Sequence, residues 1–157
     1  MAPALDHERL DVYRLELQFV AWCEPLLRRL AEQDGLRCRQ VTDHLDRAGL
    51  SVLLNTAEGN GKRQAGTLAK FFDIARGSAT ECAACLDALV AKGACRAEEM
   101  GEGKAILVRI VSMLTKLVQR YSTDERAHEA EEEYTAKAQN GDGSTAEDDD
   151  EDDDEDD

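Results

Sequence analysis

The chain lacks any run approaching the roughly 18–20 apolar residues that a membrane span requires. Its opening, MAPALDHERL, is charged where a secretory leader carries an apolar core. No stretch shows the two-residue alternation of a strand, and no internal repeat is visible. Five cysteines, Cys23, Cys38, Cys82, Cys85 and Cys95, form an odd set with no regular framework, which reads as reduced thiols. These absences exclude membrane and disulfide-stapled classes and predict a cytoplasmic, all-helical protein.

Cationic excess is missing as well. Residues 1–123 hold 17 Lys/Arg and 16 Asp/Glu, a net of +1, whereas residues 124–157 hold 18 acids against Arg126 and Lys137, a net of −16. The overall −15 therefore describes the terminus and not the body. Glu147 to Asp157 is an unbroken run of 11 carboxylates, which buries nothing and repels itself, so it is expected to be disordered. The expected organisation is one folded domain over 1–123 and an acidic, largely disordered tail over 124–157.

What is present is helical. From about Asp6 to Gln33, Val12, Leu15, Phe19, Trp22, Leu26 and Leu30 share a face, with Pro25 predicting a kink or early break. Asp34-Gly35 supplies a turn. From about Leu36 to Glu58 there are two stripes: Cys38, Val41, Leu45, Ala48 and Val52, then Leu50, Leu53, Leu54 and Ala57. That width implies burial on two sides. Gly59-Asn60-Gly61 reads as a C-cap in the left-handed conformation. A third helix, about Ala65 to Lys92, carries an alternating 4-and-3 seam at Leu68, Phe72, Ala75, Ala79, Cys82, Leu86 and Leu89. A fourth, about Glu98 to Tyr121, repeats the seam at Leu107, Ile110, Leu114, Leu117 and Tyr121, with Gly101 and Gly103 weakening its first turn. Asp124 to Gln139 has almost no apolar face and reads as frayed. Short connections between such helices predict an antiparallel up-down-up-down four-helix bundle.

The patterns that could carry chemistry are incomplete. Cys82-Ala-Ala-Cys85 lies mid-helix with no second pair and reads as core filling instead of a zinc or redox site. Glu125-Arg-Ala-His128 has the ExxH spacing of di-iron bundles, but only once. His7, His44 and His128 have no nucleophile at useful spacing. Gly59-Asn60-Gly61-Lys62 lacks the spacing and preceding strand of a phosphate loop. No catalytic residue, metal or cofactor is implied, and a non-enzymatic protein is expected.

The polar residues Glu58, Asn60, Lys62, Arg63, Lys70, Arg76 and Glu81 gather around the second turn, beside the small residues Gly77, Ser78 and Ala79. Three readings stand: ion pairing of Arg76 with Glu58 or Glu81, a subunit interface on the small face, or a nucleic-acid patch at Lys62, Arg63 and Lys70. Arg37 and Arg39 are further candidates for phosphate contact, and the acidic tail is expected to compete with nucleic acid for all five cations.

LSVLLNTAEGNGKR (Leu50–Arg63), FFDIARGSATE (Phe71–Glu81) and the opening Leu10-Asp-Val-Tyr resemble the four-helix bundle proteins of intervening sequences in 23S ribosomal RNA genes. The resemblance covers most of residues 6–121. It implies a bundle that assembles into a ring of five subunits. It also implies kinship with the accessory variability determinant of diversity-generating retroelements, where a basic bundle ring binds a reverse transcriptase and its RNA. The implied role is a homo-oligomeric adaptor for a nucleic-acid-processing partner such as a reverse transcriptase, with Glu58, Asn60, Arg76, Gly77, Ser78, Ala79 and Glu81 at the interface. The alternative is a structural member of the family with no nucleic-acid contact. The near-neutral body and the polyanion depart from the basic pattern of such rings.

Overall fold

The computed structural model describes residues 4–33 and 35–140, with the side chains of Gly35 and 138–140 excepted. Asp34 and the acidic run Glu147–Asp157 lie outside the described residues. Four α-helices dominate: α1 (Asp11–Gln33), α2 (Gly35–Asn60), α3 (Ala65–Ala91) and α4 (Gly101–Asn140). Short 3-10 turns at Asp6–Arg9 and Ala97–Met100 precede α1 and α4. The chain divides into two compact units, one ending at Glu125 and the other beginning at Arg126.

Within the first unit the helix order follows from paired side chains. Glu16 meets Thr56 and Phe19 meets Gly49, so α1 and α2 run antiparallel. His44 meets Glu81 and Ser51 meets Ser78, which sets α2 against α3 in the same sense. Phe72 packs on Tyr121 and Asp87 on Lys104, which does so for α3 and α4. Trp22 against Gly103 joins α1 to α4. The result is the up-down-up-down four-helix bundle.

The core is the set of seams. Val12, Phe19, Leu26 and Leu30 of α1 meet Leu45 and Val52 of α2, Phe72, Leu86 and Leu89 of α3, and Leu107, Ile110 and Leu114 of α4. Burial of such side chains, at about 1.5–3 kcal/mol each, is the main stabilising term. Trp22 is only partly buried, and Cys23 takes the core position beside it. The α2 stripe expected to bury a second side stays largely open: Leu50 is 43% and Leu54 63% exposed.

Three local expectations change. α1 begins at Asp11, because Leu10 is extended (φ −72°, ψ 127°) and separates it from the 3-10 turn. Of the kink or early break expected at Pro25, the break does not occur: α1 continues through it to Gln33. Gly59 and Gly61 do not form a left-handed cap: among the described glycines only Gly93, at φ 71°, has a positive φ. Gly93 ends α3, where Ala94 N–H donates to Leu89 O at 3.0 Å and Gly93 N–H to Val90 O at 2.9 Å, the Schellman pattern.

The stretch read as frayed is helical to Asn140. In the second unit every described side chain from Arg126 to Lys137 is exposed. That segment is rich in good helix formers and carries i,i+4 pairs His128–Glu132 (3.4 Å) and Lys137–Glu133 (2.6 Å), which support an isolated helix without an apolar face.

Candidate functional site

The corner after α2 is built around a close backbone approach. A Cβ at Gly59 would lie 2.9 Å from Phe71 Cβ and 3.4 Å from the Phe72 ring, so only glycine lets α2 and α3 meet there. Phe71, partly exposed, sits beneath the Lys62 ammonium at 4.9 Å from its ring centre. Lys62 also pairs with Glu58 at 3.0 Å. Farther along the same two helices, Ser51 and Ser78 share a 2.8 Å hydrogen bond, and Asn55 donates to Ser51 O at 2.8 Å.

The expected pairing of Arg76 with Glu58 or Glu81 is not what forms. Arg76 holds Asp73, one turn earlier on α3, at 2.6 Å, while Glu58 takes Lys62 and Glu81 takes His44 at 3.4 Å. Asp73 stands one turn from Arg76 on the same helix face, whereas Glu58 is on α2 and Glu81, five residues on, points about 140° away around α3, so the local pair wins. Of the small residues, Ala79 is fully buried and belongs to the core, and Ser78 is buried in its hydrogen bond to α2. Gly77 is different. It is exposed, and a Cβ placed on it would meet nothing within 4 Å. Asn60 is partly buried at the last position of α2.

Exposed apolar side chains lie to one side of Gly77, among the Asp73–Arg76 and His44–Glu81 pairs. The Ser51–Ser78 bond fixes the register, setting Leu50 and Leu54 of α2 alongside Ile74 and Gly77 of α3. Leu50 and Ile74 are 43% exposed and Leu54 63%. Leu53 and Ala57 flank them, partly buried. These exposed apolar side chains lie farther along α2 and α3 than the polar corner at Glu58 and Lys62.

The five cations proposed for phosphate contact fall into two groups. Arg37 and Arg39 lie near the start of α2, while Lys62 and Arg63 follow its end and Lys70 lies in the second turn of α3. A 26-residue helix, roughly 39 Å long at 1.5 Å per residue, separates the groups. Arg37 donates to the Lys92 carbonyl and Arg39 lies 3.7 Å from Asp43. Arg63 and Lys70 are exposed.

One buried polar pair has no counterpart in the sequence reading. Glu16 of α1 is 1% exposed and Thr56 of α2 fully buried. Thr56 Oγ1 donates to Glu16 Oε1 at 2.7 Å, and Oε2 has no hydrogen-bond partner. Burial pushes the carboxyl up to about 8, with the Thr56 hydrogen bond opposing, so Glu16 is protonated near neutrality. The signal was legible: Val12, Glu16, Phe19, Cys23, Leu26 and Leu30 follow the strict 4-and-3 spacing that the apolar reading bypassed.

Cys82 and Cys85 are both buried, and burial pushes both thiols up; Cys23 is pushed up to about 12. Neutral, enclosed thiols are poor nucleophiles and poor ligands. Glu125 and His128 are exposed, and His128 faces Glu132 instead of a core ligand set.

A family model described as 23S rRNA-intervening sequence protein matches residues 8–116, from the turn before α1 to the middle of α4. No curated protein matches the chain.

Proposed function

Because the chain belongs to the 23S rRNA-intervening sequence protein family, we propose that it acts as a non-enzymatic, homo-oligomeric helical-bundle adaptor whose copies meet through the outer face of α2 and α3. Gly77 carries the reading. A glycine inside a helix costs about 0.5–1 kcal/mol relative to alanine. Within the protomer nothing approaches it, so that cost has no return unless another backbone packs there. The neighbours fit this: Leu50, Leu54 and Ile74 offer apolar area that the bundle leaves open. A second copy is the occupant: in a closed ring the contacts run head to tail, so this face of each subunit lies against a different face of the next. A ring of five is the stoichiometry that the sequence resemblance implies.

In this reading the assembled bundles hold a nucleic-acid-processing partner, of which a reverse transcriptase is the one suggested by resemblance. The near-neutral body favours the second reading, a structural assembly with no nucleic-acid contact. The Leu50→Asp/Leu54→Asp double variant tests the shared premise. Its native mass falls to that of one chain while the helical circular dichroism is unchanged. A mass equal to wild type would remove the α2–α3 face from the account.

A further inference from the structure

Between Glu102 and Asp124, α4 carries no carboxylate. Its charged residues there are Lys104, Arg109, Lys116 and Arg120. Lys104 is held by Asp87 of α3. Arg109, Lys116 and Arg120 are exposed, and among the described residues no ion pair engages them. At 100° per residue these three positions fall on one narrow strip, separated along the axis by roughly 10 Å and 6 Å.

The carboxylates on the helices that flank α4 do not neutralise that strip. Asp11 of α1 holds Arg14 at 3.3 Å, and Asp73 of α3 holds Arg76 at 2.6 Å. Arg14 and Arg109 line one groove with Asp11, Gln18, Leu15 and Met113. Arg120 lies 5.7 Å from the ring of Tyr121 on its own helix. Three cations without an ion pair among the described residues thus share a strip about 16 Å long, which ends at Asp124, one turn beyond Arg120.

The geometry points to the outer strip of α4 as a binding surface for the phosphodiester backbone of RNA or DNA. It rests on the adaptor reading only for the class of anion and needs no contribution from the α2–α3 face. Three cations in line, with Gln119 exposed between Lys116 and Arg120, match a regularly spaced polyanion better than a compact one. The exposed strip from Arg109 to Arg120 holds no aromatic side chain, so bases are not stacked and binding is insensitive to sequence. These residues also form a continuous line, which Arg37, Arg39, Lys62, Arg63 and Lys70 do not.

The test is fluorescence anisotropy of the full-length chain with a labelled RNA duplex of about 20 base pairs, from about 50 to 200 mM salt. The expected result is binding whose log affinity falls with log salt at a slope of about −2 to −3, set by three neutralised phosphates. Arg109→Gln/Lys116→Gln/Arg120→Gln lowers affinity about tenfold at the lowest salt and flattens the slope. Lys62→Gln/Arg63→Gln/Lys70→Gln changes it about twofold or less, as expected of cations outside the strip. No binding at the lowest salt by the full-length chain and by the chain ended after Asn140, or equal losses in the two variants, overturns the inference. Sedimentation of both variants separates the readings. A lower mass in the strip variant overturns the inference by making the strip a contact between copies. Lost binding at unchanged mass in that variant alone supports it.

Discussion

Glu16 offers a test of the interior that no surface effect mimics. Its carboxyl ionises at about 8 in the fold against an ordinary value of 4.5, because burial opposes the charge more than Thr56 offsets it. The folded state therefore holds a proton that the unfolded chain has already released, and stability falls as pH rises from about 4.5 to about 8. At 1.36 kcal/mol per pH unit, less the half-titration at either end of the interval, this amounts to about 4 kcal/mol, a large share of the roughly 5–15 kcal/mol available to a domain. Glu16→Gln abolishes the titration while keeping an oxygen that accepts from Thr56. Urea denaturation at pH 4.5 and pH 8 reads the effect as a double difference. The gap between variant and wild type moves by about 4 kcal/mol in favour of the variant across that interval. Cysteine ionisation in the unfolded chain, which has the same sign, enters mainly above pH 8 and cancels between the two proteins. A gap that does not change with pH would refute the reasoning, and would mean that Oε2 gains a partner that stabilises its charge.

Other substitutions separate fold from assembly. Gly77→Ala raises the stability of the protomer by about 0.5–1 kcal/mol, seen as a higher denaturation midpoint, since its methyl meets nothing; Gly77→Leu keeps the helix content and lowers the native mass. Gly103→Ala lowers stability by about 1–3 kcal/mol, seen as a lower denaturation midpoint, because the new methyl meets the Trp22 ring, and quenching or a shift of the single tryptophan's emission accompanies it. Arg76→Ala changes thermal stability by about 0–1 kcal/mol, no more than Arg14→Ala, since each removes an exposed pair within one helix turn.

The seams of α3 and α4 are legible because their apolar residues repeat at alternating 4 and 3; the structure buries the α3 seam and Leu107, Ile110 and Leu114 of α4, and leaves Leu117 and Tyr121 partly buried. Glycine was harder to read. Gly59 was assigned to a cap by its neighbours Asn60 and Gly61, whereas its role depends on Phe71 and Phe72 of another helix, which no local pattern contains. Arg76 shows the opposite case: Asp73, three residues away, takes it, while Glu58 and Glu81 pair elsewhere. Glu16 lay on a perfect seam and was bypassed for Leu15, because a hydropathy pattern discounts a carboxyl that becomes apolar once protonated. The carboxylate gap of α4 was also plain in the sequence. It gained meaning only when Asp87 was seen to hold Lys104 and left the other three cations without an ion pair among the described residues.

The central claim is that copies of this chain meet through α2 and α3. Sedimentation equilibrium of the untagged full-length chain at micromolar concentration tests it most directly. One closed species is expected, its mass a whole multiple of the 17.3 kDa chain, with five the multiple that the resemblance implies. A single 17.3 kDa species across that range would contradict the account.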